Sequence, residues 1–285
     1  MSGFDRRITA ARPDLAALSL KGIVQAAHFV AGESARIIAP SAAVLREPRP
    51  DAAIDTEALA GEALMVYERH EGFAWVQLAT DRYVGYVAET ALSMHAPAPG
   101  HKLGVLRSFV YPGPSMKLAP TGHLSLGAAV HIVAITGEFA ELATGGFIWR
   151  QHLVPLGHAM PDAVAIAEWF IGTPYLWGGK TSLGLDCSGL VQLALGAAGM
   201  LAPRDSDMQE AQLGHQIALA GDLSGLQRGD IMFWKGHVGL MRDATTLIHA
   251  NGHHMLVVSE PLAEAAARIV AKGAGPITSA RRIRA

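Results

Sequence analysis

The sequence contains one cysteine, Cys187, in the run Leu185-Asp186-Cys187-Ser188-Gly189. Because Asp186 is a residue type that caps helices, we predict that a helix begins at Cys187 and holds its thiol among the unpaired N–H groups of the first turn. Such a position favours the thiolate and lowers the pKa of a thiol from about 8.5 towards neutrality. A buried, inert cysteine is the alternative, but the glycines of Trp177-Gly178-Gly179 open the backbone before it. We therefore predict that Cys187 is a nucleophile.

A cysteine nucleophile needs a base, and the base needs a group that orients it. Thirteen histidines are available, and two of them lie on neighbouring predicted strands. His237 opens a strand after the turn Lys235-Gly236, and His249 ends the next strand, 12 residues further on. Two antiparallel strands joined by a short turn can bring residues at this spacing into one cleft. The pattern favours His237 and His249 as the partners of Cys187.

Metal chemistry is the competing use of these histidines. His253 and His254 follow closely, so a four-histidine zinc site is an open alternative, although no Asp or Glu lies at ligand spacing within the cluster. A single cysteine excludes both an internal disulfide framework and a thiolate-rich zinc site. We predict no metal and no other cofactor.

Composition limits the partners and the location. The 285 residues are 50% hydrophobic and 17% charged, with 23 Lys and Arg against 25 Asp and Glu. This composition excludes global disorder, and the near-neutral charge argues against nucleic acid or an anionic membrane as the main partner. Residues 1–12 contain no apolar run long enough for a signal peptide, and the apolar stretch 22–32 is too short to span a bilayer. We predict a cytoplasmic protein whose oligomeric state the sequence leaves open.

The residues around the histidines and the cysteine predict an α+β domain. We expect a helix over 163–170 with Asp162 as its N-cap, and a second helix over 187–198. Three strands then follow over 230–234, 237–241 and 246–249. A helix that bears a cysteine, followed by an antiparallel sheet that bears histidines, belongs to the α+β class.

The preceding part of the chain has the short apolar runs and Gly-led turns of β-structure. The run that begins at Gly61 and continues through Gly72 is echoed by the run that begins at Gly127 and continues through Gly137, at an offset that falls from 66 to 61 residues. Two diverged copies of a small barrel explain this echo. We predict an N-terminal extension packing on the barrels at 1–37, barrels at 38–95 and 96–157, and the α+β domain at 158–285. Within the extension we expect a short helix over 14–18 and a strand over 22–30.

Five ordered motifs carry a resemblance to a known family. They are Gly172-Thr-Pro-Tyr175-Leu-Trp177-Gly-Gly179, Asp186-Cys187-Ser188-Gly189, Arg228-Gly229-Asp230-Ile-Met-Phe, His237-Val-Gly239 and His249-Ala250. This set is similar to the NlpC family of papain-like cysteine peptidases, which cut bacterial cell-wall peptides. With two SH3-like barrels ahead of it, the whole chain resembles the family's γ-D-glutamyl-L-diamino-acid endopeptidases. The resemblance implies that Cys187 is the nucleophile, His237 the base and His249 the third polar residue, with Tyr175 beside the thiolate and the oxyanion position.

The resemblance also implies a set of substrate contacts. In members with fused barrels, the residues that match Trp177, Asp205 and Ser206 line the site, and an acidic residue and a tyrosine of the first barrel reach into it. These two match Asp55 and Tyr83, although Asp55 stands where the relatives carry Glu, and Glu57 is a close competitor. Ordinary barrel residues at 55 and 83, and a helix cap at 205–206, are the alternatives.

Together these features imply hydrolysis of the bond between γ-D-Glu and a diamino acid such as diaminopimelate. A carboxylate pair formed by Asp205 and Asp55 could hold a free α-ammonium, which would restrict cleavage to murein peptides that begin with L-Ala. Such a substrate belongs to cell-wall peptide recycling. An exported hydrolase that acts on intact wall, and a non-catalytic protein that binds wall peptides, are the alternatives.

Overall fold

The computed structural model of the protein describes residues 3–283. The chain folds into two compact units, and the boundary between them lies between Leu156 and Gly157. Over the described part of the chain, no helix combines the length and the hydrophobicity that a bilayer crossing requires. The longest helix has 11 residues and lies in the second unit.

The first unit is built almost entirely of β-strands, numbered here in chain order. A short parallel pair comes first: β1 (Leu15–Ala17) and β2 (His28–Val30). A seven-stranded sheet follows, with the order β5-β4-β8-β7-β6-β3-β9. Its strands are β3 (Glu33–Ile37), β4 (Ser41–Leu45), β5 (Ile54–Leu59), β6 (Ala63–His70), β7 (Phe73–Leu78), β8 (Val84–Ala88) and β9 (Leu92–Ser93). Alternate residues of these strands point inward and form one apolar core that includes Val44, Leu64, Val76 and Val87.

Two further sheets complete the first unit, a three-stranded one (β13-β10-β17) and a five-stranded one (β12-β11-β16-β15-β14). Their strands are β10 (His101–Leu103), β11 (Arg107–Tyr111), β12 (Gly122–Ser125), β13 (Ala129–Val130), β14 (Ile132–Thr136), β15 (Phe139–Leu142), β16 (Phe147–Trp149) and β17 (Leu153–Pro155). They enclose a second core, separate from the first, around Leu103, Leu124 and Ile148.

Backbone hydrogen bonds recur at the offset that the sequence echo predicts. Gly61 N–H donates to Ile37 O, and 66 residues later Gly127 N–H donates to Leu103 O. Both glycines have positive φ, 75° and 84°, which is the conformation that favours glycine at the turn before a strand. A Cβ on Gly61 would also lie 2.2 Å from the carbonyl oxygen of Ala129. The two stretches therefore use the same turn for the same physical reason.

The N-terminal segment differs from its prediction. In place of a helix over 14–18, the chain forms the extended strand β1, followed by a 3₁₀ turn at Leu18–Leu20. Only His28–Val30 of the strand expected over 22–30 is extended. A five-residue helix has too few hydrogen bonds to offset its nucleation cost, whereas the apolar side chains of β1 gain burial against Trp75.

The second unit is α+β, as predicted. It contains one six-stranded antiparallel sheet, β20-β25-β21-β22-β23-β24, and a small hairpin, β18-β19. Its elements are α1 (Ala163–Trp169), β18 (Lys180–Thr181), β19 (Gly184–Leu185), α2 (Cys187–Ala197), α3 (Ser206–Gln212), β20 (His215–Ile217), β21 (Ile231–Trp234), β22 (His237–Met241), β23 (Thr246–Asn251), β24 (Leu256–Pro261), α4 (Leu262–Ala271) and β25 (Ser279–Arg282). The predicted helices and strands around the cysteine and the histidines are confirmed to within two residues at each end.

Helix α2 is the centre of the second unit. Every residue from Cys187 to Leu195 is buried, and the helix packs against α1, β22 and β23. A helix that is buried on all sides is typical of a protein core. Because α2 begins with Cys187 and β22 begins with His237, this packing brings the cysteine and the histidine strands into one region of the fold.

Candidate active site

Cys187 lies at the first position of α2, as the sequence predicts. Asp186 caps the helix by accepting the backbone N–H of Gly189 at 2.7 Å. The Cys187 sulfur accepts backbone hydrogen bonds from Val238 and Ser188. Val238 follows His237 in β22. The hydrogen bond from the Val238 backbone N–H to the sulfur therefore holds the start of β22 beside Cys187.

The protonation state of the thiol differs from the prediction. Burial raises the pKa of Cys187 to about 12, and the nearby Asp186 carboxylate raises it further. The hydrogen bonds from Val238 and Ser188 and the charge of Arg204 act in the opposite direction but do not outweigh desolvation. The helix N-terminus therefore does not by itself ionise the sulfur, and the thiol needs a partner that takes its proton.

A buried ion pair holds the segment around Cys187 together. Arg204 is fully buried, and its two terminal nitrogens lie 2.9 and 2.7 Å from the two carboxylate oxygens of Asp186. The same guanidinium donates to the hydroxyl of Ser188. Asp186 also accepts the N–H of Gly178 at 3.0 Å. One carboxylate thus joins the glycine-rich turn, the helix start and Arg204, which leaves the position of Cys187 little freedom.

The two predicted histidines are in direct contact. His237 Nε2 lies 2.7 Å from His249 Nδ1, across the hairpin formed by β22 and β23. Burial lowers the pKa of His237 to about 3, and the neighbouring His249 lowers it further. Burial also lowers the pKa of His249, whose side chain is 1% exposed. Both rings are therefore neutral at physiological pH, which is the state in which an imidazole accepts a proton.

Glu260 extends the hydrogen bonds of the two histidines, and the sequence analysis did not predict this role. Glu260 on β24 places Oε1 2.7 Å from His249 Nε2, and Arg268 on α4 donates to both oxygens of the same carboxylate. His237, His249 and Glu260 therefore form a continuous hydrogen-bonded chain, the histidine relay. The sequence carried one indication of it, an acidic residue in β24 directly after the apolar run Leu256-Val257-Val258 and Ser259.

Tyr175 and Trp177 lie on the turn that precedes α2. Tyr175 is partly buried, and burial together with the charges of Cys187 and Asp186 raises the pKa of its hydroxyl. That hydroxyl is therefore a neutral hydrogen-bond donor close to the sulfur. Trp177 is 67% exposed, an unusual position for so large an apolar side chain, and it lies next to Gly178, which Asp186 holds.

Asp205 and Ser206 lie at the start of α3, directly after Arg204. Asp205 occupies the N-cap position, yet its side chain accepts no capping hydrogen bond from the helix. Both residues are partly exposed, while Gln209 on the same helix is buried and donates to the carbonyl of Ser188. Helix α3 is thus attached to the first turn of α2, and its N-terminus is the accessible part.

The predicted contacts of the first unit, Asp55 and Tyr83, lie in the seven-stranded sheet and beside it. Asp55 on β5 is paired with Arg46, whose Nε lies 3.1 Å from Oδ1. Glu57 is two residues further along β5 and is partly buried, as Asp55 is. Tyr83 is 4% exposed and belongs to the core of that sheet. The Asp55 carboxylate therefore already has a cationic partner.

The arrangement of the histidines does not suit a metal. Within residues 3–283, no group of three His, Cys, Asp or Glu side chains is placed to hold one. His237 and His249 direct ring nitrogens at each other, and His253 lies beside Lys272 instead. The ring nitrogens are used in a chain of hydrogen bonds and do not converge on one point.

Two family models match separate parts of the chain. Residues 172–269 match the NlpC/P60 family, and residues 44–92 match the bacterial dipeptidyl-peptidase SH3 domain. The first match contains Cys187 and the histidine relay, and the second covers most of the seven-stranded sheet.

Curated relatives match over a similar length of chain. Dipeptidyl-peptidase 6 of Lysinibacillus sphaericus is 36% identical over 121 residues, which are 39% of this chain and 43% of that protein. Gamma-D-glutamyl-L-lysine dipeptidyl-peptidase of Bacillus subtilis is 31% identical over 115 residues, which are 36% of this chain and 37% of that protein. The chain thus spans less than half the length of these relatives.

One solved structure matches over most of the chain. An NlpC/P60 family protein from Bacillus cereus covers 87% of this chain and 99% of its own, with a TM-score of 0.69 and 19% identity. At this identity the likeness concerns the fold. The chain therefore matches the NlpC/P60 family over residues 172–269 and the bacterial dipeptidyl-peptidase SH3 domain over residues 44–92, and it shares its fold with a solved NlpC/P60 family protein.

Proposed function

We propose that the protein is a cysteine peptidase that hydrolyses the bond between γ-D-glutamate and a diamino acid in murein peptides with a free N-terminal L-Ala. The observation that carries this proposal is the placement of Cys187 at the start of α2, beside β22. That strand begins with His237, which is hydrogen-bonded to His249 on β23. The names of the relatives, which include gamma-D-glutamyl-L-lysine dipeptidyl-peptidases, support the choice of bond.

In the proposed reaction, the Cys187 thiol gives its proton to His237 as the sulfur attacks the carbonyl carbon of the γ-D-glutamyl group. Backbone N–H groups at the start of α2 and the Tyr175 hydroxyl stabilise the oxyanion that forms. The protonated His237 then gives the proton to the leaving amine, and the peptide C–N bond breaks. Water hydrolyses the resulting thioester with His237 as base and regenerates the thiol.

The N-terminal L-Ala would be recognised by its ammonium group. Asp205 is the favoured partner, because it matches a residue that lines the site in the similar family members and lies at the partly exposed start of α3. Trp177 and Ser206 would line the same end of the substrate. Asp55 and Tyr83 are proposed as further contacts on the resemblance alone, because Arg46 already offsets the charge of Asp55 and the Tyr83 side chain is buried in the core of its sheet. Residues 38–95 and 96–157 are proposed as two SH3-like barrels, which the recurring turn hydrogen bonds support.

A requirement for a free amine would confine the enzyme to peptides already released from the sugar chain of the wall, because L-Ala is amide-linked in intact murein. A carboxylate that binds the ammonium by a charge-assisted hydrogen bond discriminates against a substrate that lacks the cation. We therefore propose a place for this protein in murein peptide recycling.

Cleavage of L-Ala-γ-D-Glu-diaminopimelate, followed by mass spectrometry of the products, tests the function. We expect the wild-type protein to release L-Ala-γ-D-Glu, and we expect Cys187→Ala and His237→Ala to lose the activity. The matched control for the second variant is His254→Ala, a nearby histidine outside the relay. Full activity in either variant, or cleavage at another bond, would refute the proposal.

The amine requirement is tested separately with the same peptide acetylated on L-Ala. We expect the acetylated peptide to react at least about 100-fold more slowly in kcat/KM, since a charge-assisted contact is lost and a carboxylate is left without its cation. Asp205→Asn should reduce this preference, whereas Asp207→Asn removes the same charge two positions along α3 and should leave it intact. Equal turnover of the two peptides by the wild-type protein would exclude an ammonium pocket.

A further inference from the structure

The histidine relay ends, on the side away from Cys187, in the ion pair between Glu260 and Arg268. The proposed reaction assigns no role to this pair. Glu260 is 13% exposed, and its carboxylate lies between His249 Nε2 and the guanidinium of Arg268. It comes from β24, next to the strand that carries His249, while Arg268 comes from α4. Three separate elements thus meet at one carboxylate, behind the two histidines.

The position of this carboxylate decides which ring nitrogens carry protons. Burial opposes ionisation of Glu260, but hydrogen bonds from His249 and Arg268 outweigh it and lower its pKa to about 2. An ionised carboxylate only accepts hydrogen bonds, so His249 must carry its proton on Nε2 and its lone pair on Nδ1. His237 must then donate from Nε2 to His249, which leaves the lone pair of His237 on Nδ1. This is the tautomer that can accept a proton.

Asn251 competes for the same nitrogen and would favour the opposite tautomer. Its Nδ2 lies 3.0 Å from His249 Nε2, and its Oδ1 is held by the backbone N–H groups of His253 and His254. If the Asn251 amide donated to Nε2, the lone pair of that nitrogen would also face the Glu260 oxygen at 2.7 Å. Two lone pairs at that distance repel, so the carboxylate determines the tautomer.

We propose that Glu260 is a positioning residue that holds His237 in its base tautomer and stabilises the imidazolium that forms when Cys187 gives up its proton. The inference rests on the proposed roles of Cys187 and His237. In this step the S–H bond breaks, an Nδ1–H bond forms on His237, and no proton leaves the relay. The negative charge of Glu260, two hydrogen bonds away, offsets the positive charge that His237 gains.

The other charged groups around the relay do not replace Glu260. Asp186 faces His237 from α2, but Arg204 binds both of its oxygens. Arg268 faces both rings and disfavours their protonated forms, as His254 does for His249. Glu260 is therefore the carboxylate that contacts the relay directly, and removal of Arg268 should have an effect opposite in sign to removal of Glu260.

Alkylation of Cys187 by iodoacetamide across a pH series tests the proposal without any peptide. Cys187 is the only cysteine in the sequence, so the reaction reports its thiolate alone. In Glu260→Gln, the amide can donate to His249 and reverse the tautomer of the relay. We expect its alkylation rate at pH 7 to fall at least about 10-fold and its profile to shift to higher pH. Glu260→Asp retains an acceptor and should restore part of the rate, and Arg268→Gln should alkylate faster than the wild-type protein.

The matched control is Glu264→Gln, which removes the same charge from an exposed position on α4 and should follow the wild-type profile. A purely structural role of Glu260 predicts lower thermal stability with an unshifted profile, and that result would overturn the proposal. If Glu260→Gln does not fold, the Arg268→Gln variant tests the proposal instead. An alkylation rate of Arg268→Gln at pH 7 that is equal to or slower than that of the wild-type protein would overturn the proposal. Absence of peptide cleavage by the wild-type protein would refute the proposed function while leaving this measurement valid.

Discussion

Two carboxylate–arginine pairs of this protein have the same chemistry but differ in how far the arginine is exposed to water. In the second unit, Asp186 binds a fully buried Arg204 behind the nucleophile. In the first unit, Asp55 binds Arg46, whose side chain is 51% exposed. Both pairs have short contacts between nitrogen and oxygen, and both acids were singled out from the sequence, one as a helix cap and one as a substrate contact.

The two pairs differ in the environment of the carboxylate that would remain if the arginine were removed. Asp55 and Asp186 are similarly buried, with side chains 16% and 12% exposed, but Arg46 is half exposed and Arg204 is fully buried. Removal of Arg46 therefore opens Asp55 to water, so this pair contributes little to stability. Asp186 has little access to water, and its charge would remain buried beside Cys187 without a counterion. The buried Arg204 is therefore part of the construction of the active site, whereas Arg46 lies where water can take its place beside Asp55.

The largest expected effect is on the buried pair. Arg204→Met should lower the free energy of unfolding by about 3–5 kcal/mol, because it leaves an uncompensated buried carboxylate. Chemical denaturation followed by tryptophan fluorescence measures this change. A loss below about 1 kcal/mol would mean that Asp186 finds other solvation and that the two pairs do not differ as described.

The second largest expected effect is the loss of folding stability at acid pH that His237 causes. The pKa of His237 is lowered to about 3, so between pH 6.5 and 3 the unfolded chain binds a proton that the folded protein does not. This residue should make the free energy of unfolding fall by up to about 1.4 kcal/mol for each pH unit below 6.5. His237→Gln should therefore flatten the dependence in this range, while the same change at the exposed His70 should not. Equal slopes for both variants would show that His237 is accessible to solvent protons.

The smallest expected effect is on the exposed pair. Arg46→Met should change the free energy of unfolding by less than about 1 kcal/mol, as measured by the same denaturation experiment. If Asp55 contacts the substrate ammonium, the variant should also lower KM, since the carboxylate loses a competing cation. A destabilisation comparable with that of Arg204→Met would remove the contrast between the two regions.

Local patterns predicted the elements that carry the nucleophile and the base. Asp162 and Asp186 mark the two helix starts by their capping side chains, and short apolar runs separated by turns mark β21 to β23. The 12-residue spacing brought His237 and His249 together because a hairpin joins their strands, which is a local relation. These features depend on residues close in sequence.

The features that were missed depend on tertiary packing. Glu260 reaches His249 only through the register of β23 and β24, which pairs Leu247 with Glu260 and which no local pattern specifies. The high pKa of Cys187 results from burial that a capped helix start does not reveal. In the N-terminal segment, packing against Trp75 outweighed a weak helical pattern.

The central claim is that Cys187 forms a covalent acyl-enzyme through its sulfur. Hydroxylamine added during turnover of L-Ala-γ-D-Glu-diaminopimelate should intercept the thioester and yield the hydroxamate of L-Ala-γ-D-Glu, detected by mass spectrometry. We expect this hydroxamate to increase with hydroxylamine concentration in the wild-type protein and to be absent in Cys187→Ala. Release of the free acid alone at every hydroxylamine concentration, or an equal yield of hydroxamate from Cys187→Ala, would contradict it.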